Sequence, residues 1–282
     1  MRTVLITGAS GFIGRRTVRA CLARNWRVIG LDRHPSAFEA DAYTHLVHAV
    51  TPDVPLPVTL AGQTVDAAIL LAWPVDPARY LHSPDNLGAL AATIAIARAV
   101  LDSGCPVLVG VGTCAEYALA DQGVRLREDH ALRPETLYAV CKTAAHQVLE
   151  QLGRPSRATI TWARIFNPFG PGEPSARLLP SIARTLAAGE DFMAASGRQV
   201  RDYIYVDDVA SALAVCVEGG TPWSDQHLLR SSRSACRRDA DVCRGVWPRG
   251  ANPARCEARS RLGSSVDRGR SRATVGCWLV AS

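Results

Sequence analysis

No run of apolar residues in this chain is long enough to cross a bilayer, which excludes a transmembrane helix. The N-terminal apolar stretch, Val4-Leu5-Ile6, runs straight into Thr7-Gly8 and is too short for a secretory signal; a cytoplasmic protein is expected. The nine cysteines include no Cys-x-x-Cys pair and have no histidine at zinc-ligand spacing. An odd number of cysteines so placed argues against a disulfide scaffold and against a metal site, and points to buried thiols in a reducing compartment. Lysine is almost missing: Lys142 stands alone against 31 arginines. Residues 228–282 lack Ile, Phe, Tyr, Met and Lys altogether, yet hold twelve arginines and only four acids. The remaining residues carry 20 basic and 22 acidic groups, so the formal charge of +6 belongs to that tail. The body therefore offers no basic surface for nucleic acid. The tail has neither helical nor strand periodicity. It reads as a disordered basic tail or as a reading-frame shift near residue 228 of a GC-rich gene.

The body alternates apolar runs with helical patterns, the mark of a parallel sheet with crossover helices. Strands are predicted at Thr3–Thr7, Arg27–Leu31, Thr44–His48, Asp66–Ala72, Pro106–Val111 and Ala158–Arg164, and helices near 12–24, 85–103 and 136–152. After Asn167, Pro168, Gly170, Pro171, Gly172 and Pro174 crowd together. The expected fold is an α/β, doubly wound Rossmann sheet over residues 1–166. A small C-terminal substrate lobe is expected over 167–227, partly interleaved with it and incomplete or frame-shifted past about residue 228.

Thr7-Gly8-Ala9-Ser10-Gly11-Phe12-Ile13-Gly14 leaves the first strand and opens the first helix. Glycines at 8, 11 and 14 allow a tight turn, close approach of backbone to a pyrophosphate, and close helix–strand packing, with the helix N-terminus facing the phosphates. Gly8, Ser10, Gly11, Phe12, Ile13 and Gly14 are thus the candidate dinucleotide cradle. Asp32 ends the second strand where an acid accepts the adenosine ribose hydroxyls, which favours NAD. Arg33 follows directly and suits a 2′-phosphate, so NADP stays open.

Tyr138 and Lys142 lie one helical turn apart on one face. A nearby ammonium stabilises a phenolate, and the expectation is a tyrosine tuned for proton transfer. Thr113 ends the fifth strand, at the sheet edge where doubly wound folds place ligands, and can hydrogen-bond the reacting oxygen.

In order and spacing these residues resemble the extended short-chain dehydrogenase/reductase superfamily, in its NAD-dependent nucleotide-sugar epimerase/dehydratase branch, from Met1 to about Val217. The resemblance implies a nucleoside-diphosphate sugar as substrate and a homodimer formed through the helices at 85–103 and 136–152. It implies that Asn86 supports the active-site backbone and that Leu71, Ala72, Trp73 and Ile165 neighbour the cofactor. Asn167, within Arg164-Ile165-Phe166-Asn167-Pro168, and Arg201, within Arg201-Asp202-Tyr203-Ile204-Tyr205, look like contacts to the sugar-nucleotide diphosphate; Arg177 and Leu178 fall near its base or phosphates. Two departures stand out. No acid follows the third strand to hold the adenine amino group. Cys114 and Ala115 replace the Asp-Glu pair that follows the threonine in 4,6-dehydratases, with Glu116 one residue late. Epimerisation or ketone reduction at carbon 4 is expected, and dehydration is disfavoured. The other readings are a non-catalytic dinucleotide-binding regulator and a nucleic-acid role for the basic tail.

Overall fold

The computed structural model describes residues 1–36, 38–49, 64–118, 126–193 and 201–218. The tail at 228–282, and with it the frame question, lies outside the described residues. A six-stranded sheet is formed by β1 (Thr3–Thr7), β2 (Arg27–Asp32), β3 (Tyr43–Val47), β4 (Ala67–Leu70), β5 (Val107–Thr113) and β6 (Thr159–Ile165). All its pairings are parallel, in the order β3-β2-β1-β4-β5-β6. Strand order reverses between β1 and β4, and the crevice past their carboxyl ends is where such sheets bind ligands.

Residues 4–7 of β1 and all of β4 and β5 are buried on both faces, which is why their sequences are continuous apolar runs rather than alternating ones. One face is covered by α1 (Gly14–Leu22) and α5 (Val206–Glu218), whose Val18, Cys21, Val209 and Leu213 join Val4, Ile6 and Val109 in a single core. The other face is covered by α2 (Asp85–Asp102) and α3 (Leu137–Ser156), where Ile96, Val100 and Leu149 meet Leu5, Leu70 and Leu108. Each fully buried aliphatic side chain contributes ~1.5–3 kcal/mol. Of the cysteines among the described residues, Cys21, Cys105 and Cys141 are buried, and burial pushes the Cys21 thiol up to about 12.

Two predicted boundaries shift for local reasons. β4 stops at Leu70, not Ala72, because the Thr7 side-chain oxygen accepts the N–H groups of Leu71 and Ala72 and draws the chain off the ladder. β5 runs two residues past Val111, because Gly112 and Thr113 remain in register with Arg164 and Ile165. β7 (Asn167–Phe169) pairs in parallel with β8 (Tyr203–Tyr205), and α5 follows at once. The described residues fall into two compact units. One holds both sheets with α1, α2, α3 and α5; the other holds α4 (Leu178–Ala187) with its described flanks, 171–177, 188–193 and 201–202.

Candidate active site

The glycine turn leaves β1 with Gly8 at φ +70°, and the Gly8 N–H reaches the Leu31 carbonyl at 2.9 Å. A Cβ on Gly14 would collide with the Gly8 carbonyl, and one on Gly8 would stand 2.9 Å from the Ala72 nitrogen. The chain thus closes on itself at backbone distance. Ile13, which precedes α1, offers no side-chain acceptor to the first turn of that helix. An uncapped helix N-terminus in a glycine cradle suits a diphosphate, whose oxygens would accept those N–H groups. Asp32 accepts the Ser10 N–H at 3.0 Å, which places its carboxylate at the rim of the turn. His45 on β3 has Nδ1 3.8 Å from the Asp32 carboxylate and 2.8 Å from the Tyr43 hydroxyl. This neighbour of Asp32 was not anticipated, since a mid-strand histidine carries no sequence signal. Arg33 is exposed beside Asp32.

At the other side of the sheet's carboxyl edge, Thr113 ends β5 and Tyr138 sits in the first turn of α3, whose N-cap Thr136 accepts the Ala139 N–H at 3.2 Å. The Thr113 side chain lies beside the Tyr138 hydroxyl, close enough to draw its pKa down. The rings of Tyr80 and Trp73 meet Tyr138 edge-on at 5.0 and 6.2 Å. Lys142, one turn further along, is buried; its Nζ donates to the Val111 carbonyl at 2.7 Å and lies 3.8 Å from the centre of the Trp73 ring. The indole N–H of Trp73 donates in turn to Asn86 Oδ1 at 2.8 Å, and the Asn86 amide donates to the carbonyls of Tyr80 and Ser83. Asn86 is fully buried, so it ties the Tyr80 loop and Trp73 into one support around Tyr138.

The electrostatics differ from the sequence expectation. Tyr138 is pushed above its ordinary value, chiefly by burial, with the Thr113 side chain pulling the other way. Lys142 is lowered from 10.5 to about 7, again by burial, while the Glu116 carboxylate opposes the fall. The ammonium is directed to Val111 and Trp73, and desolvation outweighs any help it gives a phenolate. Burial therefore favours the protonated phenol at Tyr138.

Glu116 is the main residue of the site that the sequence reading left out. It lies in a 3-10 turn, Cys114–Glu116, and is wholly buried. Its carboxylate accepts the Thr113 N–H at 2.8 Å, the Arg164 Nε–H at 2.8 Å and the Trp162 indole N–H at 3.1 Å, while Thr113 Oγ1 accepts the Ala115 N–H at 3.3 Å. This reciprocal arrangement is a capping box, and the Thr-x-x-Glu spacing that announces one was present in the sequence. Glu116 faces inward onto protein donors, so it is no acid or base for a substrate, and Ala115 supplies none in its place.

Of the remaining predicted residues, Ile165 is buried opposite Thr113 across β5 and β6, and Asn167 opens β7 in register with Tyr203. Arg177 is the N-cap of α4 and Leu178, half exposed, its first residue; both belong to the second unit, as does the exposed Arg201.

A doubly wound sheet in this strand order, with a glycine turn at its switch point and a Thr–Tyr–Lys cluster on the same edge, defines a Rossmann-type domain of the short-chain dehydrogenase kind. The model of the NAD dependent epimerase/dehydratase family matches residues 4–222, and the chain belongs to that family. UDP-glucuronate 4-epimerase 1 of Arabidopsis thaliana is 25% identical over 246 residues, covering 73% of this chain and 53% of the relative, so the chain spans about half the length of that protein. GDP-6-deoxy-D-mannose reductase of Pseudomonas aeruginosa is 29% identical over 218 residues, covering 74% of this chain and 68% of the relative. Among solved structures, MoeE5 in complex with UDP-glucuronic acid and NAD superposes with a TM-score of 0.65 at 25% identity, over 76% of this chain and 71% of that one.

Proposed function

We propose that this chain binds NAD and a nucleoside-diphosphate sugar and exchanges a hydride at carbon 4 of the sugar, with Tyr138 as the acid/base. The observation that carries the reading is the placing of Tyr138 beside Thr113 at the carboxyl edge of the sheet, with Lys142 one turn along α3. NAD, when bound, supplies the hydride acceptor and donor. The chain supplies position and protons. Gly8, Ser10, Gly11, Phe12, Ile13 and Gly14 cradle the pyrophosphate, and Asp32 takes the adenosine ribose. Leu71, Ala72, Trp73 and Ile165 line the cofactor's path to the edge. Lys142 holds the nicotinamide ribose, and Asn86 braces the wall behind it. Thr113 orients the sugar oxygen while Tyr138 takes or returns its proton. On the substrate, Asn167, Arg177, Leu178 and Arg201 address the diphosphate and the base, a task for which a guanidinium fork is suited. The relatives support this reading because both epimerases and a reductase of nucleotide sugars are among them.

Epimerisation needs Tyr138 first as base and then as acid, with no net redox change. One finding supports simple reduction of a 4-keto sugar instead: a nucleotide-sugar reductase, GDP-6-deoxy-D-mannose reductase, is 29% identical to this chain. Incubating the chain with a panel of nucleotide sugars and 4-keto sugars separates the two. Interconversion at constant NADH absorbance supports the epimerase, and stoichiometric loss of NADH supports the reductase. In either case Tyr138→Phe should lower kcat by ~100- to 10,000-fold and leave NAD binding intact. Undiminished turnover in that variant would sink the assignment.

A further inference from the structure

The carboxylate of Glu116 has no route to a substrate, yet it is one of the most expensive groups in the molecule to bury. Removing a carboxylate from water is strongly unfavourable unless it is fully paired, and a well-packed apolar pair in place of a buried ion pair is commonly as stable or more so. The fold nevertheless makes room for it. Across β5 and β6, Gly110 stands opposite Trp162 and Gly112 opposite Arg164. A Cβ on Gly110 would strike the Trp162 ring, and one on Gly112 would strike both the Glu116 carboxylate and the Trp162 indole nitrogen. The alternating glycines of Val109-Gly110-Val111-Gly112-Thr113 open a slot that these side chains fill. Behind the carboxylate, Arg164 donates onward to the Tyr117 hydroxyl at 3.3 Å and meets His146 Nδ1 at 3.2 Å, and the His146 ring stacks on Trp162 at 5.2 Å.

We infer that Glu116 is a positioning residue of this site: clamped by Arg164 and Trp162 in the slot opened by Gly110 and Gly112, it fixes the strand end that carries the Thr113 hydroxyl and sets a negative charge in the 3-10 turn packed against the helix of Lys142. The inference rests on the reading of Thr113, Tyr138 and Lys142 as the acid/base set. The capping box alone would need only a neutral acceptor, which a glutamine supplies. The charge has a separate use. Lys142 meets the Val111 carbonyl on β5 and the Trp73 ring after β4 and lies within the electrostatic reach of Glu116, while Tyr80 and Cys114 act on Tyr138. Glu116 supports the charged form of the lysine against the desolvation that removes it.

Because Lys142 is the only lysine in the chain, protein labelled with ¹³C,¹⁵N-lysine gives a single side-chain signal whose titration is read directly by NMR. In Glu116→Gln, which keeps the shape and removes the charge, the Lys142 midpoint should fall by ~1 pH unit. The double variant Glu116→Met with Arg164→Met leaves no unpaired charge in the slot and should fold; its Lys142 midpoint should fall likewise. On any nucleotide sugar that is turned over, the double variant, which removes the acceptor of the Thr113 N–H, should lose ~10- to 100-fold in kcat at nearly constant KM, since a displaced Thr113 hydroxyl misaligns the reacting oxygen, whereas Glu116→Gln, which keeps that acceptor, should lose less. A merely structural role predicts a midpoint that stays with the wild type in the folded variants, and that result overturns the inference. The titration needs no turnover, so it can fail while the sugar assignment stands, and the sugar assay can fail while the titration succeeds.

Discussion

Lys142 shows most directly how a single residue answers to its surroundings. Its amine is lowered to about 7 by burial, so the folded chain sheds a proton that the unfolded chain keeps up to about 10.5. Below pH 7 both states hold the proton and the full cost of the buried ammonium is present. Between pH 7 and 10.5 the unfolded state binds more protons, and stability rises with pH by at most ~1.4 kcal/mol per unit. Lys142→Met lacks this linkage. Urea titrations at a series of pH values should therefore show wild-type stability gaining on the variant's between pH 7 and 9; a constant difference would mean that the amine is hydrated in the folded protein. Cys21, raised to about 12, loses stability above pH 9 in both proteins and drops out of the comparison. That Lys142 matters was legible from its isolation among 31 arginines. That it turns toward Val111 and Trp73 was not, because partners 31 and 69 positions away in the chain leave no local pattern.

Among the elements, the glycine turn and α2 make opposite demands of the same residue type. Gly14 abuts the Gly8 carbonyl, a backbone atom that no rotamer change can move aside. Gly14→Ala should cost ~2 kcal/mol or more in thermal or denaturant unfolding and abolish NAD binding in a fluorescence titration. Gly88, inside α2, would put a Cβ into open space. Gly88→Ala should accordingly stabilise the fold by ~0.5–1 kcal/mol, with NAD affinity unchanged. The spacing in the sequence announced the first glycine's role. The short strands β7 and β8, three residues each, carry too little period to be read, and α5 was masked by the motif that leads into it. The capping box from Thr113 to Glu116 was legible in principle, but the same letters also sit one position from the dehydratase pair and invited that comparison instead.

Over the whole molecule, the parallel sheet is held between two apolar cores, and its carboxyl edge carries the polar groups that neither core can absorb. A ligand that binds only this folded edge must stabilise all of it. At NAD concentrations ~100-fold above Kd, unfolding should become ~2.7 kcal/mol harder, raising Tm in a scanning experiment. The rise should persist in Tyr138→Phe, whose cradle is intact, and vanish in Gly14→Ala. A chain whose Tm ignores NAD and NADP alike would contradict the dinucleotide reading at its base.

The sequence by itself determined the class of fold, the place of the glycine turn and the order of Thr113, Tyr138 and Lys142, because each depends on neighbours within a strand, a turn or one helical pitch. Only the tertiary structure decided how those groups are charged and braced. Tyr138 is made a stubborn phenol by the rings packed on it, Lys142 a weakened base by its burial, and Glu116 an inward-facing clamp by two glycines on β5 and an arginine on β6. The physical reason is that dielectric and hydrogen-bond partnership are properties of a volume, and residues distant in the chain meet there only after the sheet has closed around them.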